Sequence, residues 1–368
     1  MRFVHISDTH LGFRQYGLDE REDDFYSAFE QAVGMIIEER PDFVIHSGDM
    51  FDNSRPPPKS MLVAQSLISQ LEEKGIPLFL VPGNHDILMR KNFLPPQVLY
   101  KLHKNVRLIS PENNFFVHDG VFIGGIPFMP RQFSLALKER MSSLASLSEK
   151  YRKRILVLHQ GIDKYLPYDF EVGIGDIPQC FDYYALGHIH KRIVQDFGRG
   201  KLAYAGSTEM WSMDEYANYL KQGKGFYVVD LSSEAEVHKV DIDLPRKVIK
   251  ESIEAGMLDE KIREIKESAV KLAAKPLIFL NVSGVRDAKV VHEKILSSLS
   301  DVALSVRSVY EDVDEAKSAE AGHSDISEYI QKSMGEHSSL ASGILHLLSL
   351  GDEESALDSV RKYYEEFK

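Results

Sequence analysis

Five short apolar runs within the first 190 residues each end in side chains of the kinds that bind metals. Phe3-Val-His-Ile6 leads to Asp8 and His10, and Phe43-Val-Ile45 leads to Gly48-Asp49. The run from Ile76 to Val81 leads through a Pro82-Gly83 turn to Asn84, His85 and Asp86. Ile155–Leu158 leads to His159, and Tyr183–Leu186 to Gly187-His188-Ile189-His190. Such runs, closed by turn residues, read as buried strands, and loops just past strand ends are where side chains converge on a site. A fold that uses all five must align the strands so that their ends meet.

The remaining pattern fits that demand. Phe25, Phe29, Ala32, Val33, Ile36 and Ile37 recur at helical spacing, and helices fit 59–73, 92–103 and 131–150. Strands fit 2–6, 42–46, 76–81, 106–109, 115–118, 121–126, 154–158, 183–187, 202–206, 225–230 and 236–242. Alternation early and strands in succession later predict an α/β fold of two packed β-sheets flanked by helices, spanning residues 1–245. Leu244-Pro245-Arg246 reads as a boundary. Helices at 257–273 and 287–298, with strands at 277–282 and 303–310, make a small α/β domain over 246–310. Residues 311–323 are acidic and rich in Ala, Ser and Gly, and read as a linker. Residues 324–368 carry apolar clusters around Ile330, Leu345 and Tyr363, which suit short amphipathic helices that meet another surface.

Charge bears on what such a site can act on. The net charge of −12 argues against a nucleic-acid partner until its distribution is seen. Residues 311–368 hold 14 acidic and 5 basic residues, which leaves 42 and 39 in the first 310. The acidity belongs to the tail, and a divalent pair would offset the rest. Cys180 is the only cysteine, so no internal disulfide and no thiolate metal site is available. No apolar run approaches the roughly 18 residues of a membrane span, and Met1-Arg2 leads straight into a strand. A reducing, cytoplasmic location is the expectation, with no membrane partner.

Asp, His and Asn offer hard oxygen and borderline nitrogen donors, a set that suits Mn²⁺ or Mg²⁺ and accepts Fe or Zn. Asp49, behind Gly48, is placed to bridge two ions, the arrangement used for displacement at phosphorus. His85 is next to Asn84 and is the candidate to protonate a leaving oxygen, with Asp86 expected to orient its imidazole.

The ordered blocks D-x-H (Asp8, His10), G-D (48–49), G-N-H-D (83–86), a His after a strand (His159) and G-H-x-H (187–190) resemble the signature of the calcineurin-like metallophosphoesterases. The fuller wording is His5-Ile-Ser-Asp-Thr-His-Leu-Gly12, His46-Ser-Gly-Asp-Met-Phe51, Leu158-His-Gln-Gly161 and Leu186-Gly-His-Ile-His-Lys-Arg192. It resembles the branch of DNA double-strand-break repair nucleases known as meiotic recombination eleven, with SbcD as the bacterial relative. The resemblance implies a four-layer metallophosphoesterase fold, a DNA-recognizing capping domain over 246–310, and C-terminal helices that dock on a Rad-fifty-type coiled-coil ATPase. It implies two Mn²⁺ per chain: one held by Asp8, His10, Asp49 and His190, the other by Asp49, Asn84, His159 and His188. His85 would be the catalytic histidine of a manganese-dependent endo- and exonuclease acting on single-stranded DNA and duplex ends near the nucleoid. A homodimer would form through the helices after Pro58 and near 92–103, using Leu62, Val63, Leu67, Leu94 and Val98. Family members often carry a histidine three residues after the bridging aspartate; here that position is Asp52. The alternatives are a DNA-end tether with weak nuclease activity and a small-substrate phosphodiesterase.

Bland readings stand beside these. Each ligand taken singly suits a satisfied turn or core residue, and His5 and His46, inside strands, suit packing. Arg14, Gln15, Tyr16, Arg21, Arg55, Lys191 and Arg192 follow the ligands on loops and suit either DNA backbone contacts or solvent. Trp211 suits packing better than base stacking.

Overall fold

The computed structural model describes residues 1–88, 90 and 93–312, with Leu340 besides. The acidic linker beyond Asp312 and the partner-docking helices therefore lie outside the described residues. The described chain falls into two units, Met1–Pro245 and a second that begins at Arg246.

The first unit opens with β1 (Arg2–Ile6), α1 (Asp19–Glu39), β2 (Phe43–His46), α2 (Pro58–Glu73), β3 (Leu78–Leu80) and β4 (Val106–Leu108). Asp19, Glu20 and Glu22 in its first turn favour the positive end of α1. Arg40 closes that helix in the left-handed conformation, and Pro41 stops it. Pro58 begins α2, where its missing N–H costs nothing. Then come β5 (Phe115–His118), β6 (Val121–Ile126), α3 (Ser134–Ser148), β7 (Lys153–His159), β8 (Tyr183–Gly187), β9 (Ile193–Phe197), β10 (Gly200–Tyr204), α4 (Tyr216–Gln222), β11 (Gly225–Asp230) and β12 (Glu236–Asp241).

These strands form two mixed six-stranded sheets, ordered β12-β11-β1-β2-β3-β4 and β5-β6-β7-β8-β10-β9. In each sheet four neighbouring strands are parallel, β1 to β4 in one and β6, β7, β8 and β10 in the other. Alternation within the strands explains the sandwich. Phe3, Phe43, Ile45, Phe79, Ile155, Val157, Tyr183 and Ala185 point between the sheets and form one core. Val4, Val44 and Leu80 point the other way, under α1 and α2. Leu156, Leu158 and Tyr184 do the same under α3. The result is a four-layer α/β/β/α fold, as expected. His5 and His46 are buried in it: His5 lies 2.9 Å from Tyr183 Oη and 2.9 Å from Ser47 Oγ, and His46 3.1 Å from Thr9 Oγ1. Burial lowers their pKa values to about 3 and about 4, so both are neutral packing groups.

Three expectations about elements need correction. The helix anticipated over 92–103 is a 3-10 turn at Pro96–Leu102, because the residue before a proline is kept out of the helical region and Pro95-Pro96 delays the start. The strand expected at 202–206 is β10, two residues earlier and paired antiparallel with the unanticipated β9. Leu67 of α2 is buried, whereas Leu62 and Leu94 are exposed, so Leu67 belongs to the core and not to an outer face.

The second unit is a three-stranded parallel sheet, β13 (Val248–Glu254), β14 (Leu277–Val285) and β15 (Ser305–Asp312), in that order. α5 (Leu258–Ala269) and α6 (Ala288–Leu299) make the crossovers. β13 was not anticipated: its exposed Lys250, Glu251 and Ser252 hide the strand period. Ile262, Ile265 and Ile295 pack against Ile278, Leu280 and Val282 to give this unit its own core. Among the described residues, no helix is long and apolar enough to cross a membrane.

Candidate metal centre

Parallel strands send all their C-terminal ends to one edge, and in open α/β sheets ligands bind there. Asp8 follows β1, Asp49 follows β2, Asn84 follows β3, His159 ends β7, and His188 and His190 follow β8. With His10, two residues past Asp8, the structure brings seven together in two groups. Donor atoms of Asp8, His10 and His190 lie within 4.8 Å of one another, as do those of Asp49, His159 and His188. The Asn84 amide oxygen stands 3.0 Å from His159 Nε2 and 2.8 Å from His188 Nδ1, which adds it to the second group. Asp49 Oδ2 is 3.2 Å from His159 Nε2 and 3.9 Å from His10 Nε2, so the carboxylate lies between the two groups.

The loops that carry these groups lock together through their backbones. Asp8 N–H donates to Gly48 O, and His10 N–H to Asp49 O. His85 N–H donates to Asp49 Oδ1 at 2.9 Å, and His188 N–H to Asp8 Oδ1 at 3.0 Å. Asp8, His10, Asp49 and His188 all have positive φ, a conformation uncommon outside glycine. Three glycines of the centre are obligatory on contact grounds, Gly187 among them because a Cβ there would collide with the Ser47 carbonyl. A Cβ at Gly48 would collide with the His159 ring, and one at Gly83 with the Asp49 carboxylate.

The donor chemistry fits divalent cations. His10 Nε2 and His190 Nε2 face each other at 3.0 Å in a buried site, where they share one proton in the metal-free protein or turn two lone pairs to a cation. Burial alone would raise the Asp49 pKa, but His159, then His10 and His85, hold it far below the usual carboxylate range. His159 is likewise drawn upward, to about 9: Asp49 and Asp8 outweigh the burial that opposes them. The ring nitrogens on the far side of two histidines are also occupied. His159 Nδ1–H donates to Ser47 O at 2.8 Å, and His190 Nδ1 meets Glu215 Oε1 at 3.0 Å. Buried Lys224 and Ser207 hold the other Glu215 oxygen. Such outer contacts fix the tautomer and aim the ligating nitrogen. Glu215 was not foreseen, although Ser212-x-x-Glu215 is a capping box readable in the sequence.

His85 is half-buried beside this centre, its ring 4.8 Å from that of His10. Its Nδ1–H donates to the backbone carbonyl of Asp52 at 2.7 Å. This corrects the role expected of Asp86. Asp86 is wholly buried and accepts from the N–H groups of Gly83, Met50 and Phe51, so it ties the β2 loop to the β3 loop and leaves the imidazole to Asp52. Burial, together with the nearby Asp49 charge, pushes its carboxyl up to about 7.

The residues expected on the surrounding loops divide, and Arg21 lies inside α1 instead of on a loop. Arg14, Arg55 and Lys191 are exposed and Tyr16 is half-buried. Gln15, Arg21 and Arg192 are buried and engaged inside the protein. Gln15 donates to the carbonyls of Met210 and Trp211, Arg21 pairs with Asp24 and Glu209, and Arg192 pairs with Asp241. Trp211 lies at the centre itself, its ring within 6.0 Å of those of His10, His85 and His190.

A four-layer sandwich with two converging donor groups at its strand ends defines a metallophosphoesterase, and the family described as calcineurin-like phosphoesterase matches residues 1–192. The DNA double-strand break repair protein Mre11 of Methanocaldococcus jannaschii is 39% identical over 285 residues, 76% of each chain. Those of Methanococcus maripaludis and Saccharolobus solfataricus are 37% and 36% identical, over 77% and 85% of this chain and 78% and 82% of their own. The chain belongs to the Mre11 family of calcineurin-like phosphoesterases.

Asp86→Ala should lower unfolding stability by about 1–3 kcal/mol for each backbone donor left unpaired, measured by urea denaturation of the metal-free protein. A variant as stable as the wild type would return Asp86 to an orienting role.

Proposed function

We propose that this chain is a Mn²⁺-dependent nuclease that hydrolyses DNA phosphodiester bonds at double-strand breaks. The observation that carries the reading is Asp49 lying between two complete donor groups, with His85 at their rim. The names of the relatives supply the DNA and the break. In this reading Asp8, His10, Asp49 and His190 hold one ion, and Asp49, Asn84, His159 and His188 the other, with Mg²⁺ as a possible substitute. When bound, such a pair activates water and offsets the charge that builds on a reacting phosphate.

The protein's own groups do the rest. His85 gives its Nδ1–H to the Asp52 carbonyl, which leaves Nε2 to exchange a proton with the leaving oxygen. The two positive-φ loops hold Asp8 and Asp49 still, so little reorganisation accompanies the reaction. Exposed Arg14, Arg55 and Lys191, with Tyr16, are suited to touch the sugar-phosphate backbone and fix its register. Residues 1–245 would form the nuclease domain and 246–310 a capping domain that recognises DNA. After the linker at 311–323, residues 324–368 would bind a Rad-fifty-type ATPase through their apolar clusters. Leu62, Leu94, Leu99 and Leu102 are all more than half exposed, and a surface that apolar suits a homodimer.

Labelled circular single-stranded DNA and blunt duplex DNA, incubated with Mn²⁺, Mg²⁺ or chelator, test the activity. Mn²⁺-dependent cleavage should fall about 10²–10⁴-fold in His85→Ala while calorimetry finds Mn²⁺ bound as before. Cleavage that survives chelation, or that survives His85→Ala undiminished, would defeat the proposal. Removal of 324–368 should abolish capture of the ATPase in a pull-down and spare cleavage; retained capture would move the docking surface elsewhere. Leu62→Glu combined with Leu94→Glu should convert a dimer to a monomer in sedimentation, and an unchanged dimer would exclude this face.

A further inference from the structure

His10 differs from His159 and His190 in what lies behind it. His159 and His190 have a carbonyl and a carboxylate at hydrogen-bond distance on their far nitrogens. The ring of His10 is wholly buried, and its Nδ1 has no partner at that distance. It faces one group, Asp52 Oδ1, at 3.4 Å. An imidazole that gives the Nε2 lone pair to a cation carries its proton on Nδ1, and a buried N–H requires an acceptor.

Asp52 is held as an acceptor should be. The Trp211 indole N–H donates to the same Oδ1 at 3.2 Å. The indole is fixed in turn by stacking on Phe13, with centroids 5.2 Å apart and planes 18° from parallel. Gln15, itself anchored by buried Arg21, donates to the Trp211 carbonyl at 2.7 Å. One residue thus serves both histidines: Asp52 offers its carboxylate to His10 and its backbone carbonyl to His85.

We infer that Asp52 is a positioning residue whose carboxylate, clamped by Trp211, accepts the Nδ1–H of His10 and fixes Nε2 as the ligating nitrogen. The inference rests on the two-ion reading above. Donor atoms of His10, Asp52 and His85 also cluster within 4.8 Å, but a third cation there would require both nitrogens of His10 at once, an imidazolate. It would also compete with the bond from His85 to the Asp52 carbonyl. A histidine at position 52 would offer at most a neutral ring nitrogen to His10, so Asp52→His should also weaken ion binding.

The test is Mn²⁺ titration calorimetry on the full chain, with metal-free melting temperature as the check on folding. Wild type should bind two ions. Asp52→Asn should weaken one of the two steps about 10–100-fold, with the other step and the melting temperature unchanged. Trp211→Phe, which keeps the stacking ring and loses the N–H, should weaken the same step by less. Equal affinities in wild type and Asp52→Asn would overturn the inference, as would both steps falling together with the melting temperature. A third wild-type ion that Asp52→Asn loses would overturn it in favour of direct ligation. Failure of the wild type to bind two ions would instead overturn the two-ion reading.

Discussion

The Asp49 carboxylate is the constraint on which the rest depends. Burying a carboxylate costs several kcal/mol unless charge and hydrogen bonds compensate, and here both come from different elements. The backbone of the β3 loop supplies an N–H to one oxygen, and His159 of the second sheet approaches the other. Neither sheet alone could surround it. The inter-sheet core of Phe3, Phe43, Phe79, Val157 and Tyr183 is what holds the two sets of strand ends at working distance. That core also offsets local strain, since each residue held in a sparsely populated region costs on the order of 1–3 kcal/mol and four of the site residues are so held.

Around this carboxylate the histidines are sorted by their outer contacts. A backbone carbonyl behind His159 or His85 fixes the tautomer without adding charge. A carboxylate behind His190 does more, because it raises the basicity of the nitrogen turned to the centre. Glu215 can remain ionised there only because Lys224 and His190 outweigh burial and draw its pKa down to about 2. Below that value the carboxylate protonates and its contribution to the folded state is lost; above the ordinary carboxylate range it is fully present.

What the sequence revealed followed from where the chemistry sits. Asp8, Asp49, Asn84, His159, His188 and His190 directly follow or end strands, so an apolar run pointed to each, and the sandwich followed from the same runs. What stayed hidden is set by contacts between distant segments. Glu215, Lys224 and Trp211 reach the centre across 25 to 201 residues of chain from His190 and His10, with no local period to mark them. Asp86 was misjudged because it is adjacent in sequence to His85. On a turn, neighbouring side chains leave in different directions: Asp86 turns inward to three backbone donors and His85 outward to the rim. Gln15, Arg21 and Arg192 sit on loops by sequence, but burial turns their polar ends to internal partners.

The charge of the centre explains why such a protein needs ions before it can approach a phosphate. Asp8, Asp49, Asp52, Glu171 and Glu215 gather around the donor groups, and in the metal-free site Lys224 and the His159 imidazole, drawn up to about 9, are buried with them as positive charges. Burial raises the Glu171 pKa. A phosphodiester brought to that field alone would meet repulsion strengthened by the low local dielectric. Two divalent cations bound there, as proposed above, would add four positive charges at the focus of the carboxylates and offset them. In the two-ion reading, the acidic shell that would repel a phosphate from the metal-free site is also what would draw the cations in.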